Sequence, residues 1–269
     1  MSYRITGTGS CIPDIAKKNS DFLKNKFLDT DGGKFQSSNS EIIDKFNSIT
    51  GIYERRYAPD EINCSDLAAV AAGLAINDSK LDQETLDYII VAHNTGDISC
   101  NSGQVDTLPS VASKVKAKLK IKNPNCVAYD IICGCPGWVE GIIQAKSFIK
   151  SGMAEKCLVI GCDTLSRILD ENDRDSMIYA DGSGAIVLES DSSYDGGILS
   201  HKSATFTYDG ENDFIFYGTS YNTRKRTKSD QKFIKMQGRI NNYIEQKTSF
   251  LAGISHDLGT IITRIKLRL

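Results

Sequence analysis

Ala128-Tyr129-Asp130-Ile131-Ile132-Cys133-Gly134-Cys135-Pro136-Gly137-Trp138 decides how this chain is read. Strand formers fill its first half, Gly-Cys-Pro-Gly interrupts them, and helix-compatible, largely apolar residues follow. The pattern predicts a strand over 126–132, a tight turn, and a helix that ends at Ser151-Gly152, where glycine supplies the C-cap. Cys135 then stands on a strand-to-helix turn with its sulfur at a helix N-terminus. Unpaired N–H groups and the helix dipole favour a thiolate there, which makes Cys135 a candidate nucleophile. A buried, unreactive thiol is the alternative that the same residue type allows.

Working outward, strand and helix signals alternate through the first 190 residues. Residues 3–9 and the continuous apolar runs 86–92 and 156–163 read as strands, the latter two buried on both faces. Residues 41–49 predict a short helix stopped by Thr50-Gly51. Ser65 and Asp66 are expected to cap an Ala-rich helix reaching about Asn77, and 111–119 predicts another. Val139, Ile142, Ile143, Ala145, Phe148 and Ile149 spread around most of the helix after Cys135, which is expected to be largely buried. Such alternation predicts an α/β protein with a parallel or mixed sheet covered on both faces. Residues 191–233 are weaker in pattern, with short β-like pieces such as 214–217, and 223–229 reads as a solvated basic loop.

The 269 residues suffice for a sizeable core, and the net charge of -2 offers no general attraction to nucleic acid. No apolar run of about 18 residues predicts a membrane span, and no signal peptide is read at the N-terminus. Eight cysteines without a secretory signal fit a reduced, cytoplasmic protein. Cys133 and Cys135 form C-x-C rather than C-x-x-C, and no histidine or second cysteine pair has zinc-site spacing, so no metal and no cofactor is expected. Charge is uneven: residues 224–269 hold 11 Lys and Arg against 3 Asp and Glu, leaving 21 against 31 elsewhere. That swing near residue 224 predicts that two different kinds of sequence have been joined.

Several separated motifs, in order, resemble the β-ketoacyl-acyl-carrier-protein synthase III family of thiolase-like condensing enzymes. They are Ile5-Thr6-Gly7-Thr8-Gly9-Ser10 with Ile12-Pro13, then Thr50-Gly51-Ile52-Tyr53-Glu54-Arg55-Arg56, Asp130 to Trp138, and Lys150-Ser151-Gly152. Asp163-Thr164-Leu165-Ser166, Asp173-Arg174, Asp181-Gly182-Ser183-Gly184-Ala185 and a last match at 233–238 complete the set. The resemblance implies that 1–238 is the N-terminal half of a thiolase-like αβαβα fold, and that the enzyme is a homodimer. It implies an acyltransferase in which Cys135 accepts an acyl group from acyl-CoA or an acyl carrier protein. A malonyl carrier protein then attacks that thioester in a decarboxylative condensation. A backbone oxyanion hole that includes the Cys135 N–H, and a contact of Arg174 with the CoA nucleotide, are implied in the same way. Asp181 to Ala185 is expected to form a turn between core strands.

Two departures stand out. Lys45 and Ile49 occupy the positions of the family's adenine-clamping aromatic and arginine, and Phe46 is the neighbouring candidate for stacking. The family's catalytic His and Asn have no counterpart: the histidines are His93, His201 and His256, and the first two read as structural or surface residues. Complete turnover is therefore not expected. Residues 239–269 contain Ser255-His256-Asp257-Leu258-Gly259-Thr260 and read as an amphipathic helix. This segment resembles the phosphoacceptor helix of a sensor histidine kinase, which implies His256 as phosphoacceptor and Asp257 as the residue that activates it. A signalling fragment of a two-component system is the alternative function. An artificial or misassembled fusion is the simplest origin for such a join, and exposed apolar surface is expected where the synthase half lacks its counterpart.

Overall fold

The computed structural model describes residues 2–205, apart from 30, 31, 101, 102, 195 and 199. Its elements in chain order are β1 (Tyr3–Cys11), β2 (Ile15–Lys18), α1 (Asn39–Thr50), β3 (Glu54–Tyr57), α2 (Cys64–Ser79) and β4 (Tyr88–His93). Then come β5 (Asp97–Ile98), β6 (Val105–Asp106), α3 (Val111–Lys118), β7 (Val127–Ile132), α4 (Gly137–Ser151), β8 (Lys156–Thr164) and β9 (Asp181–Ser190). The position expected for a domain boundary, near residue 238, lies outside the described residues, as do 214–217, 223–229 and the segment 239–269 with His256 and Asp257.

One five-stranded mixed sheet, in the order β1-β9-β8-β4-β7, organises the fold. β4 runs parallel to both β8 and β7, whereas β9 is antiparallel to β8 and β1. Alternation along the strands splits the core in two. Ile89, Val91, Leu158 and Ile160 face α2 and α3, while Ile90, Cys157 and Val159 face Ile142, Ala145 and Ile149 of α4. Within the described residues the result is three layers, α/β/α, with the apolar residues of the central strands β4 and β8 used on one side or the other.

Local chemistry accounts for the helix ends. Ser38 accepts from the Glu41 N–H and Glu41 reaches back to the Ser38 N–H, closing a capping box on α1, and Gly51 ends that helix at φ 69°. α2 begins earlier than the expected caps, Ser65 and Asp66, suggest. Its N-cap is Asn63, whose N–H donates to Asp66, while Ser65 lies inside the helix and donates from both N and Oγ to the buried Asp97. Gly152 ends α4 at φ 78°.

Two other expectations are corrected. Asp181 to Ala185 is the first half of β9, not a turn, and it pairs with both β1 and β8. α4 is covered on one face only: Ile142, Ala145, Lys146 and Ile149 are buried, but Val139 is 50% exposed. The expected apolar exposure is present there and along β7, at the sheet edge. No helix of the described residues is long and apolar enough to cross a membrane.

Candidate active site

β7 delivers the chain to Ile132, and after four intervening residues α4 begins at Gly137. Gly134 turns the backbone at φ 47° and its carbonyl accepts from the Gly137 N–H at 3.0 Å, so Cys135 is carried on a closed turn directly before the helix. Close packing fixes where that turn ends up. A Cβ on Gly137 would lie 3.2 Å from Ala92 Cβ, and one on Gly141 would lie 2.9 Å from Val159 Cγ1. Gly161 in turn receives the Trp138 side chain, which would be 3.2 Å from an added Cβ. Three glycines thus let the start of α4 press onto β4 and β8, and they hold Cys135 over the strand ends.

That place has a topological cause. From β4 the chain crosses by α3 to β7 on one side, then returns by α4 to β8 on the other. Helices on opposite faces leave a crevice between the carboxyl ends of β4 and β8, the general position of ligand sites in such sheets. A cavity of about 260 Å³ opens there, lined by Ala92, Gly134, Cys135, Trp138, Gly161 and Asp163 among others.

All eight cysteines are free, but few suit nucleophilic chemistry. Burial pushes the Cys157 thiol up to about 12 and also raises Cys126 and Cys11. Cys64 is raised by its hydrogen bond to Cys162, the two sulfurs lying 3.1 Å apart, and by burial. Cys100 is exposed but raised by its hydrogen bond to the Asp60 carboxylate. Cys133 and Cys135 are exposed, and of these only Cys135 lines the crevice. A thiol at a helix N-terminus, open to solvent and facing a cavity, can attack an electrophilic carbonyl.

Arg174 stands away from the cavity, with its guanidinium 4.9 Å above the Phe35 ring and Nε 3.7 Å from Asp175. The segment from Arg174 leads to Ala180 at the cavity wall, so one short stretch joins the two places. Along it, Tyr179 has its phenol raised by burial and by the charges of Asp173, Asp175 and Cys135. Phe46 packs with Phe22, Phe27, Ile42, Ile43 and Met177, and the Arg55 guanidinium lies 5.8 Å from its ring; this inward position does not suit the stacking role suggested for it. His93 is buried and bonded through Nε2 to Asp130 at 3.0 Å, whose carboxylate also accepts from the first N–H groups of α3, Val111 and Ala112. His201 is exposed. Among the described residues no group of three or more His, Cys, Asp or Glu is placed to hold a metal ion.

Reading the sequence did not single out Asn94 and Asp163 as a pair. They are 69 residues apart and meet beside the cavity, with Asn94 N and Nδ2 donating to the two carboxylate oxygens. The boundary of a strand is visible in sequence; which strand end it meets is not.

Comparison with known proteins agrees with this geometry. Residues 129–206 match the model of the 3-oxoacyl-[acyl-carrier-protein (ACP)] synthase III family. The chain is 36% identical over 226 residues to the β-ketoacyl-[acyl-carrier-protein] synthase III of Ehrlichia ruminantium (strain Welgevonden), covering 82% of this chain and 62% of that protein. It is 39% identical over 190 residues to the corresponding enzyme of Neisseria gonorrhoeae (strain NCCP11945), covering 70% and 52%. The crystal structure of 3-oxoacyl-[acyl-carrier-protein] synthase III from Aquifex aeolicus VF5 superposes with a TM-score of 0.57 at 33% identity, over 71% of this chain and 55% of that one. The synthase III from Pseudomonas aeruginosa PAO1 gives 0.58 at 27%, over 74% and 54%. The chain thus spans between about half and two thirds of the length of these relatives, and its fold is thiolase-like. Over the described residues, the chain is similar to β-ketoacyl-acyl-carrier-protein synthase III proteins, and residues 129–206 carry the match to the family itself.

Proposed function

We propose that Cys135 accepts an acyl group as the first step of a synthase III-type condensation in fatty-acid or related biosynthesis. The observation that carries this reading is the exposed thiol on a glycine turn, at a helix N-terminus and over the crevice between β4 and β8. The Cys135 thiolate would attack the carbonyl carbon of an acyl-CoA or acyl carrier thioester. The carrier leaves as a thiolate that takes a proton from solvent, and the acyl group remains on Sγ. The Cys135 N–H is the backbone donor proposed for the developing oxyanion. Arg174, solvent-accessible on the far end of the Arg174–Ala180 stretch, is proposed to meet the nucleotide of CoA.

The subsequent condensation with malonyl carrier protein releases CO₂ and returns Cys135 as leaving group. It needs an enolate-stabilising His and Asn, and this sequence supplies no counterpart of that motif. The first half-reaction is therefore the one proposed for these residues. A homodimer is supported by β7, an edge strand that exposes 47% of Val127 and 76% of Ile132. A reduced, cytoplasmic setting is supported by the eight free thiols.

Incubating the full chain with acetyl-CoA and longer acyl-CoAs, then mapping peptides by mass spectrometry, tests the proposal. The expected result is a single acyl adduct on Cys135 that disappears in Cys135→Ser. An adduct distributed over Cys100, Cys133 and Cys135 alike would refute it.

A further inference from the structure

We infer that Asn94 is a positioning residue for Cys135, an inference that rests on reading Cys135 as the acyl acceptor. The ladder between β4 and β8 ends at Ala92 paired with Gly161, although β4 continues beside β7 to His93 paired with Ile132. Beyond that point β4 and β8 separate, and the crevice begins. Asn94 bridges the gap: its backbone N–H donates to Asp163 Oδ1 at 2.9 Å and its Nδ2 donates to Oδ2 at 2.6 Å. One bidentate carboxylate thus replaces the missing rungs.

This bridge fixes the Asn94 amide as well. With Nδ2 committed to Asp163, the carbonyl Oδ1 points the other way. It lies 3.7 Å from the position a Cβ would take on Gly134, the left-handed residue directly before Cys135. The other atom within 4 Å of that point is the Pro136 ring carbon, which belongs to the turn itself. The Asn94 amide oxygen therefore faces the turn that carries the nucleophile, across a space that a side chain on Gly134 would fill. Asn94 also covers the carboxylate that shares the cavity with Cys135. Burial raises the Asp163 carboxyl above its usual value, and the Asn94 donors act against that rise. Removing the amide would take that group away from the turn and leave the half-buried Asp163 carboxylate short of a donor beside the cavity that Cys135 lines. Displacement of a reacting atom by about 1 Å can cost on the order of a hundredfold in rate, so a loosened turn should be measurable.

The test uses the full chain and brief pulses of iodoacetamide, with alkylation of Cys135 and Cys133 counted in the same molecules by peptide mass spectrometry. Cys133 is two residues away on the same turn and serves as internal standard. The native chain should alkylate Cys135 faster than Cys133. Asn94→Ala should lower the Cys135-to-Cys133 ratio by about tenfold or more, and Asn94→Asp should lower it too, because two carboxylates then face each other. The double variant Asn94→Asp with Asp163→Asn exchanges donor and acceptor within the same pair and should restore most of the ratio. An unchanged ratio in Asn94→Ala overturns the inference. If Asn94→Ala fails to fold, the double variant decides: a folded double variant with a ratio as low as that of Asn94→Asp also overturns it. Failure of the nucleophile reading looks different, since the native chain would then show no preference for Cys135.

Discussion

Gly9→Ala should be among the most damaging single-methyl additions in this protein, and the structure sets its size. Gly9 lies in β1 under α2, where an added Cβ would fall 2.2 Å from the Ala71 carbonyl oxygen, 2.6 Å from Ala75 N and 2.9 Å from Leu74 Cβ. Ordinary contact begins near 3.4 Å, so α2 would have to withdraw by roughly 1 Å. The obstructing atoms are backbone and cannot rotate away. Ala68, Ala71, Ala72 and Ala75 are wholly buried, so withdrawal opens a gap along the whole interface. A gap of that width forfeits about a quarter to a half of each contact's attraction. Overpacking of well-packed sites costs about 1–3 kcal/mol, and a rigid backbone clash belongs at the top of that range or just above. About 3 kcal/mol should lower Tm by roughly 6–12 °C for a chain of this size. Gly184→Ala is the matched control: it sits in β9 opposite Ser10, with nothing within 4 Å of an added Cβ. It should change stability by no more than about 0.5 kcal/mol. Thermal and urea unfolding of both variants check the contrast. A loss below about 1 kcal/mol for Gly9→Ala, or an equal loss in Gly184→Ala, would show that the helix–sheet spacing is softer than reasoned.

Other outcomes follow from the same structure. Gly134→Ala meets no steric block, the nearest atom being 3.7 Å away, but it forces a Cβ onto a residue at φ 47°. It should cost about 1–2 kcal/mol in thermal unfolding, with Gly134→Asn milder; equal losses would argue against backbone strain. Burial first, and then the Asp175 charge, push Asp173 up to about 6. Its folded value exceeds the unfolded one of about 3.9, so its contribution to stability is present at low pH and is lost as pH rises through 6. Asp173→Asn keeps an acceptor for the Asp175 N–H, and should stabilise by about 1–3 kcal/mol at pH 7.5 while being near neutral at pH 4. The same gain at both pH values would count against a burial penalty. Asp130→Ala should cost about 3–5 kcal/mol in urea unfolding, because His93 and the first two N–H groups of α3 lose their acceptor together. For Asp130 burial acts upward, but those hydrogen bonds outweigh it and hold the group below its usual value. Its stabilisation should therefore be present above about pH 4 and fade as the solution is acidified below that, and a native profile flat through that range would contradict it.

Much of this protein was legible from local chemistry. The glycine that ends α1 and the one that ends α4 declare themselves through sequence position, because only a residue free of Cβ strain closes a helix in the left-handed region cheaply. The turn at Cys135 is legible for the same reason: four consecutive residues spell out strand, reversal and helix start. Short-range rules failed where a neighbour distant in sequence changed the outcome. Ser65 looked like a cap because of its type, yet it lies within α2 because Asp97, 32 residues away, takes both its donors. Asp181 to Ala185 looked like a turn because of its glycines, yet pairing on both sides keeps it extended.

The sequence by itself determined which thiol stands at a helix N-terminus and what the strands bury, because caps, turns and two-residue alternation are written within a few positions. Tertiary structure alone decided the rest. It placed β8 and β7 on opposite sides of β4, opened the crevice between the ends of β4 and β8, and brought Asn94 to Asp163 beside the cavity that Cys135 lines. Strand order depends on which faces α3 and α4 cover, a property of the packed sheet that no window of adjacent residues contains.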